Sequence, residues 1–154
     1  MWYTIHITIF YTCGFLFHLK SQQILLHQPH KENDTTLSLW SMFGETNHAK
    51  EDATAVFQRI IHTKLNLKLP KKSIYPVYDY FHKIHNKTHY VCYAIVATMQ
   101  KHTVLQGSNL SWYTFKEAIK LPSTQQTKQD IMVAQRVIEA QERETMHTQY
   151  HSSH

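Results

Sequence analysis

Residues 40–70 read WSMFGETNHAKEDATAVFQRIIHTKLNLKLP, a loop that turns into one amphipathic helix. Ala53, Val56, Phe57, Ile60, Ile61 and Leu65 recur at i, i+3, i+4, i+7, i+8 and i+12, an apolar stripe of period 3.6. Glu51 and Asp52 fall in the first turn, where negative charge suits the helix dipole, and Lys64 falls in the last. Asn66 follows as a left-handed C-cap, and Pro70 bars continuation. The pattern predicts a helix over Glu51–Leu65, buried deepest at Val56, Phe57, Ile60 and Ile61.

With those residues in place, the stretch resembles the Nudix box, a loop–helix–loop. That box is a glycine, five residues, a glutamate, seven residues, then Arg-Glu-apolar-x-Glu-Glu-x-Gly-apolar. Glu51 is followed after seven residues by Arg59, and the box closes with Leu65-Asn66-Leu67. Within the family, residues 57–70 are most similar to the GDP-mannose mannosyl hydrolases. Their pattern is Phe-Glu-Arg-Leu, a glutamate five residues after the arginine, Leu-Gly-Leu, a basic residue and Leu-Pro. Tyr75-Pro76-Val77-Tyr78 and Thr88-His89-Tyr90-Val91 resemble the following strands of those enzymes, and the likeness runs from about Thr12 to Glu139. It implies an α/β (α+β) fold, the Nudix α/β/α sandwich with a mixed sheet between helices.

The departures fall on the chemistry. The two adjacent metal-binding glutamates of the ordinary box correspond to Thr63 and Lys64, and the mannosyl-hydrolase glutamate corresponds to Lys64. The box glycine falls on Glu45, with Gly44 just before it, and the residue after Arg59 is Ile60. Magnesium demands oxygen ligands in near-octahedral array, whereas a lysine ammonium offers donors only. Gln106 matches a glutamine that binds metal in the mannosyl hydrolases, but the histidine that follows it there as general base is Gly107 here. The metal ligands that the resemblance leaves are Glu51 and Gln106, a weak set, and no catalytic residue can be assigned. In the box the arginine is largely structural. Glu51 and Arg59 are about two helical turns apart, so Arg59 is expected to hold Glu51 or a loop carbonyl rather than substrate.

A chain of 154 residues with 42% hydrophobic and 18% charged residues fits one small soluble domain with a substantial core. Three glycines argue against Walker or Rossmann phosphate cradles. Net charge of +5 and pI near 9.2 permit anionic ligands. No block of five to eight lysines and arginines occurs, which argues against nucleic acid. Cys13 and Cys92 lack CxxC spacing and lie in apolar runs, as buried free thiols of a reducing cytoplasm do. The N-terminus lacks a basic leader, and Ile5, Ile7 and Ile9 alternate with His6 and Thr8, as in a strand. No run of 18 apolar residues exists, so no membrane span is expected.

Strands are expected at Tyr3–Tyr11, Gly14–Leu19, Ile24–Gln28, Ile74–Phe81, His89–Met99 and Leu110–Thr114. Residues 29–36 and 82–87 read as a polar loop and a polar turn. Trp112 with Glu117 resembles a Trp-x-x-x-x-Glu segment common in Nudix folds. Ser123 and Gln126 form a capping box for a last helix reaching about Arg143. The domain is then residues 1–146, with residues 147–154 a flexible His-containing tail.

Among thirteen histidines, the tail offers His147 and His151 four apart with His154 following, but a solvated tail does not preorganise zinc ligands. His62 reads as a surface residue. His82, His85 and His89 bracket a turn that overlooks the ligand cleft in the resembled enzymes. Tyr78, Tyr80 and Tyr90 are strand aromatics that either pack or stack on a base. The ligand-binding candidates are Lys64, Arg59, Tyr80, His89, Tyr90 and Gln106. The resemblance implies a cytoplasmic domain that binds a nucleoside diphosphate sugar or nucleotide, with hydrolysis weak or lost. No cofactor is expected on that reading. An active hydrolase is the alternative, using magnesium on Glu51, Gln106, the Gly44 carbonyl and Glu45. A protein-interaction module is a third reading. The resembled enzymes are dimers, which implies a homodimer.

Overall fold

The computed structural model describes residues 8–29, 39–99 and 108–152. Six strands form one sheet: β1 (Phe10–His18), β2 (Gln23–Pro29), β3 (Phe43–Thr46), β4 (Ile74–His82), β5 (Lys87–Val96) and β6 (Ser108–Thr114). The helices are α1 (Ala53–Leu65), the single turn α2 (Phe115–Ala118) and the long α3 (Gln125–Ser152). The strand order is β4-β5-β1-β2-β6, with β3 also paired to β1. β1 runs parallel to β5 and antiparallel to β2 and β3. The sheet is therefore mixed.

The sheet is buried on both faces, and strand alternation sends each residue to one of them. Cys13, Phe15, Phe17, Val91 and Tyr93 meet Ile131, Ala134 and Ile138 of α3. Leu16, Leu25, Cys92 and Ala94 meet Val56, Phe57, Ile60 and Ile61 of α1. The four positions expected deepest in α1 are all fully inaccessible. A Cβ on Gly14 would come 2.3 Å from the Cys92 carbonyl oxygen of neighbouring β5 and 2.9 Å from the Phe57 ring of α1. Cys13 and Cys92 are free and buried.

Several boundaries differ from the sequence expectation. Residues 3–7 of the first expected strand lie outside the described residues; its end at Phe10–Tyr11 and the strand expected at 14–19 run together as β1. The short β3 replaces part of the loop read before α1. Helix α1 starts at Ala53, not Glu51, because Asp52 is the N-cap and accepts from the Ala55 amide at 2.8 Å. Asn66 takes the left-handed conformation (φ 53°) and its amide caps His62 O. The last helix is capped by Thr124, whose Oγ1 accepts from the Thr127 amide at 3.1 Å; Ser123 Oγ is buried without a hydrogen bond. That helix continues past Arg143 through the residues read as a tail to Ser152. Among the described residues no helix is long and apolar enough to cross a membrane.

Phe57→Ala should lower the unfolding free energy by ~3–5 kcal/mol through the cavity left under β1. Ile84→Ala, at a side chain 88% exposed, should change it by less than about 0.5 kcal/mol. Urea denaturation of both variants checks the pair. Gly14→Ala should also destabilise, because the added methyl collides with backbone rather than with a movable side-chain tip.

Candidate functional site

Starting the helix at Ala53 leaves Glu51 outside it, free to turn back across the first two turns. Arg59 meets it there. The guanidinium donates from Nε to Glu51 Oε2 at 2.9 Å and from Nη2 to Glu51 Oε1 at 3.1 Å, a bidentate fork. Its Nη1 donates to Glu45 Oε2 at 2.7 Å, and Nη2 also reaches the Thr46 carbonyl at 3.1 Å. Glu51 Oε1 accepts in addition from the His48 amide at 2.6 Å. One side chain of α1 thus ties the end of β3 to the loop that enters the helix. Both contacts expected of Arg59, to Glu51 and to a loop carbonyl, are present. The arginine bond holds the Glu51 carboxyl below its ordinary range, and Glu51 and Glu45 raise Arg59 in turn.

Glu45 stands on β3 opposite Thr12, in the register next to Gly44, which pairs with Cys13. Gly44 has no room for a side chain: its Cβ would fall 2.1 Å from the Tyr11 hydroxyl. At the other end of α1, Thr63 is exposed and Lys64 half-buried. Lys64 lies near enough to His27 for its charge to act on that ring. His27 is buried, stacked on Phe43 with centroids 4.5 Å apart, and its Nε2 lies 3.1 Å from the Met42 carbonyl oxygen. Burial first, then Lys64, push the His27 pKa down to about 4.

This donor set does not fit magnesium. Glu51 gives both carboxylate oxygens to the guanidinium and the half-exposed Glu45 gives Oε2, Thr63 offers a lone hydroxyl, and Lys64 offers donors only. Gln106 and Gly107 lie outside the described residues.

The ligand-binding candidates do not share one cleft. Arg59 is spent on its two glutamates and Lys64 sits on the α1 side. Tyr80 and His89 belong to the α3 side, where His89 packs on Tyr11 with centroids 4.8 Å apart. Tyr90 points the other way, edge-on to Phe10 at 5.2 Å. The α3 side holds a polar cluster that the sequence reading missed. Asp130, 3% exposed, accepts from Tyr78 at 2.5 Å, Gln126 at 2.9 Å and Tyr80 at 3.3 Å. Its signal was available: Asp130 is an acidic residue on the stripe that continues to Ala134 and Ile138. A cavity of about 760 Å³ also lies on this side, lined by Phe17, Tyr75, Tyr93, Ile95, Ile138 and Met146 among others. No box position lines it.

His27 sets a pH dependence. Below pH 6.5 the unfolded chain protonates His27, while the folded chain keeps it neutral down to about 4. Its contribution is therefore complete above pH 6.5 and is lost as pH falls through that window, by up to about 3 kcal/mol. Unfolding free energies of wild type and His27→Gln between pH 7 and 4.5 check this; the variant should fall less steeply.

A scan against protein-family models finds no match, and a search of curated proteins also finds none. Solved structures do match. The NUDIX domain of Shewanella oneidensis NrtR, in complex with ADP ribose, aligns with TM-score 0.65 and 16% identity over 87% of this chain and 90% of that one. A mutT/nudix family protein from Listeria innocua aligns with TM-score 0.65 and 16% identity over 90% and 98%. A C. elegans Ap4A hydrolase aligns with TM-score 0.65 and 12% identity over 84% and 98%. The mixed sheet between α1 and α3, and these likenesses across almost the whole chain, show that it has the Nudix fold.

Proposed function

We propose that the chain is a nucleotide-binding domain on the Nudix fold, taking a nucleoside diphosphate sugar or related nucleotide, with hydrolysis weak or lost. The observation that carries this reading is the pairing of Arg59 with both Glu45 and Glu51. It keeps the loop–helix–loop in shape and turns Glu45 and Glu51 toward the guanidinium. The hydrolase alternative needs those same carboxylates as metal ligands, and Glu51, which gives both oxygens to the guanidinium, would have to share or release them. The nature of the neighbours supports a nucleotide: one is seen with ADP ribose and another is an Ap4A hydrolase. The preference for a GDP-sugar rests on the resemblance of residues 57–70 to the mannosyl hydrolases, and a homodimer belongs to the same proposal.

Lys64 then supplies part of the positive charge that magnesium supplies in the enzymes. A phosphate–ammonium contact in a partly desolvated cleft is worth roughly 1.5–3 kcal/mol. Lys64→Ala should therefore weaken binding of GDP or GDP-mannose about tenfold or more in calorimetry. Lys64→Glu should abolish metal-free binding and restore some magnesium affinity. Equal affinity in all three proteins would leave Lys64 a surface residue that complements the helix end. Absence of binding by GDP, GDP-mannose and ADP-ribose at millimolar concentration, with or without magnesium, would overturn the function as a whole. Light scattering checks the dimer.

A further inference from the structure

The β4–β5 hairpin brings three histidines to one point on the α3 side of the sheet. His82 ends β4, His85 lies in the turn and His89 is buried on β5. Asn86 makes the turn tight by adopting the left-handed conformation (φ 53°). The ligating nitrogens of all three lie within 4.8 Å of one another. We propose that His82, His85 and His89 form a binding site for a zinc-class divalent transition-metal ion, a site separate from the box.

The first support is spacing. His85 Nδ1 and His89 Nε2 stand 3.4 Å apart. Two nitrogens bound 2.0–2.1 Å from a tetrahedral zinc lie about 3.3–3.4 Å apart. Imidazole is a ligand for zinc, copper and nickel, not for magnesium.

The second support is a relay that fixes the tautomer. The Tyr78 and Tyr80 hydroxyls both reach the buried Asp130 carboxylate. An ionised carboxylate only accepts, so Tyr80 donates to Asp130 Oδ2 at 3.3 Å. The Tyr80 oxygen then accepts from His89 Nδ1 at 3.5 Å. That leaves the His89 Nε2 lone pair facing His85. A carboxylate orienting a ligating imidazole through its far nitrogen is the usual outer shell of a metal site.

The third support is charge. Asp130 is buried, and no lysine or arginine pairs with it among the described residues. A divalent ion two side chains away would supply that charge. His82 lies stacked over the other two rings, with centroids 4.2 Å from His85 and 4.6 Å from His89. Its Nδ1 accepts from the His85 amide at 3.2 Å. Joining the ion requires His82 to rotate out of that stack. Three protein ligands leave a fourth position for water or an external group.

The test uses the full chain, stripped with a chelator and titrated with zinc against a chromophoric competitor. His85→Gln is the main variant, because His85 is exposed and its loss should not unfold the chain. A triple variant, His147→Gln/His151→Gln/His154→Gln, controls for the three histidines nearest the C-terminus. Wild type and the triple variant should both bind one zinc tightly. His85→Gln should bind at least a hundredfold more weakly, and Tyr80→Phe about 10–100-fold more weakly. X-ray absorption should show nitrogen ligands at about 2.0–2.1 Å. Unchanged affinity in His85→Gln, loss confined to the triple variant, or no saturable site in wild type would each overturn the proposal.

Discussion

One guanidinium decides the shape of the end of the molecule where the box lies. Arg59 makes hydrogen bonds to Glu51, Glu45 and the Thr46 carbonyl, so a strand end, an entry loop and a helix meet on a single planar cation. The arrangement carries one positive and two negative charges, and both carboxylates are partly exposed. Water screens what is left over. Removing the arginine would leave two carboxylates close together with nothing between them, a worse state than an empty surface. Three acidic and basic groups of this end thus face one another rather than solvent alone.

The rest of the fold follows from the sheet's two faces. On the α1 side the contacts are almost wholly apolar, and the helix is held within touching distance of β1 by the missing side chain at Gly14. On the α3 side the core is mixed. Aliphatic residues fill the middle, while a carboxylate, two phenols and three imidazoles gather toward the β4–β5 turn. Such a group is stable only because its members satisfy one another.

Much of the α1 side was legible in sequence. The stripe from Ala53 to Leu65 and the Asn66 cap are local signals, and the eight-residue spacing of Glu51 and Arg59 brought them within reach of each other although Glu51 lies just before the helix. The short β3 left no alternation to read, since Phe43 is its one large apolar residue. Ser123 and Thr124 are both hydroxyl caps, and only the backbone chooses between them. The end of α3 was hidden for another reason: beyond Arg143 its side chains are mostly exposed, so the apolar period stops while the helix continues. Tyr80 and His89 were grouped with Lys64 and Arg59 because a family likeness carries a cleft as a unit. Parity along β5 places Tyr90 and His89 on opposite faces. The Asp130–Tyr80–His89 relay joins α3, β4 and β5, and no local pattern announces a contact of that kind.

The parallel pairing of β1 with β5 has a consequence for how the chain acquires its structure. Cys13 and Cys92, neighbours in that ladder, are 79 residues apart. β1 is the strand on which β2, β3 and β5 all depend, yet one of its edges stays unpaired on a ribosome until β5 has emerged. The β4–β5 hairpin is local and can form early; β1 must wait for it, because closing a long loop precedes any reward from the contacts it makes. During synthesis the apolar run from Phe15 to Phe17 is therefore an open strand edge until β5 arrives, the kind of surface that invites aggregation.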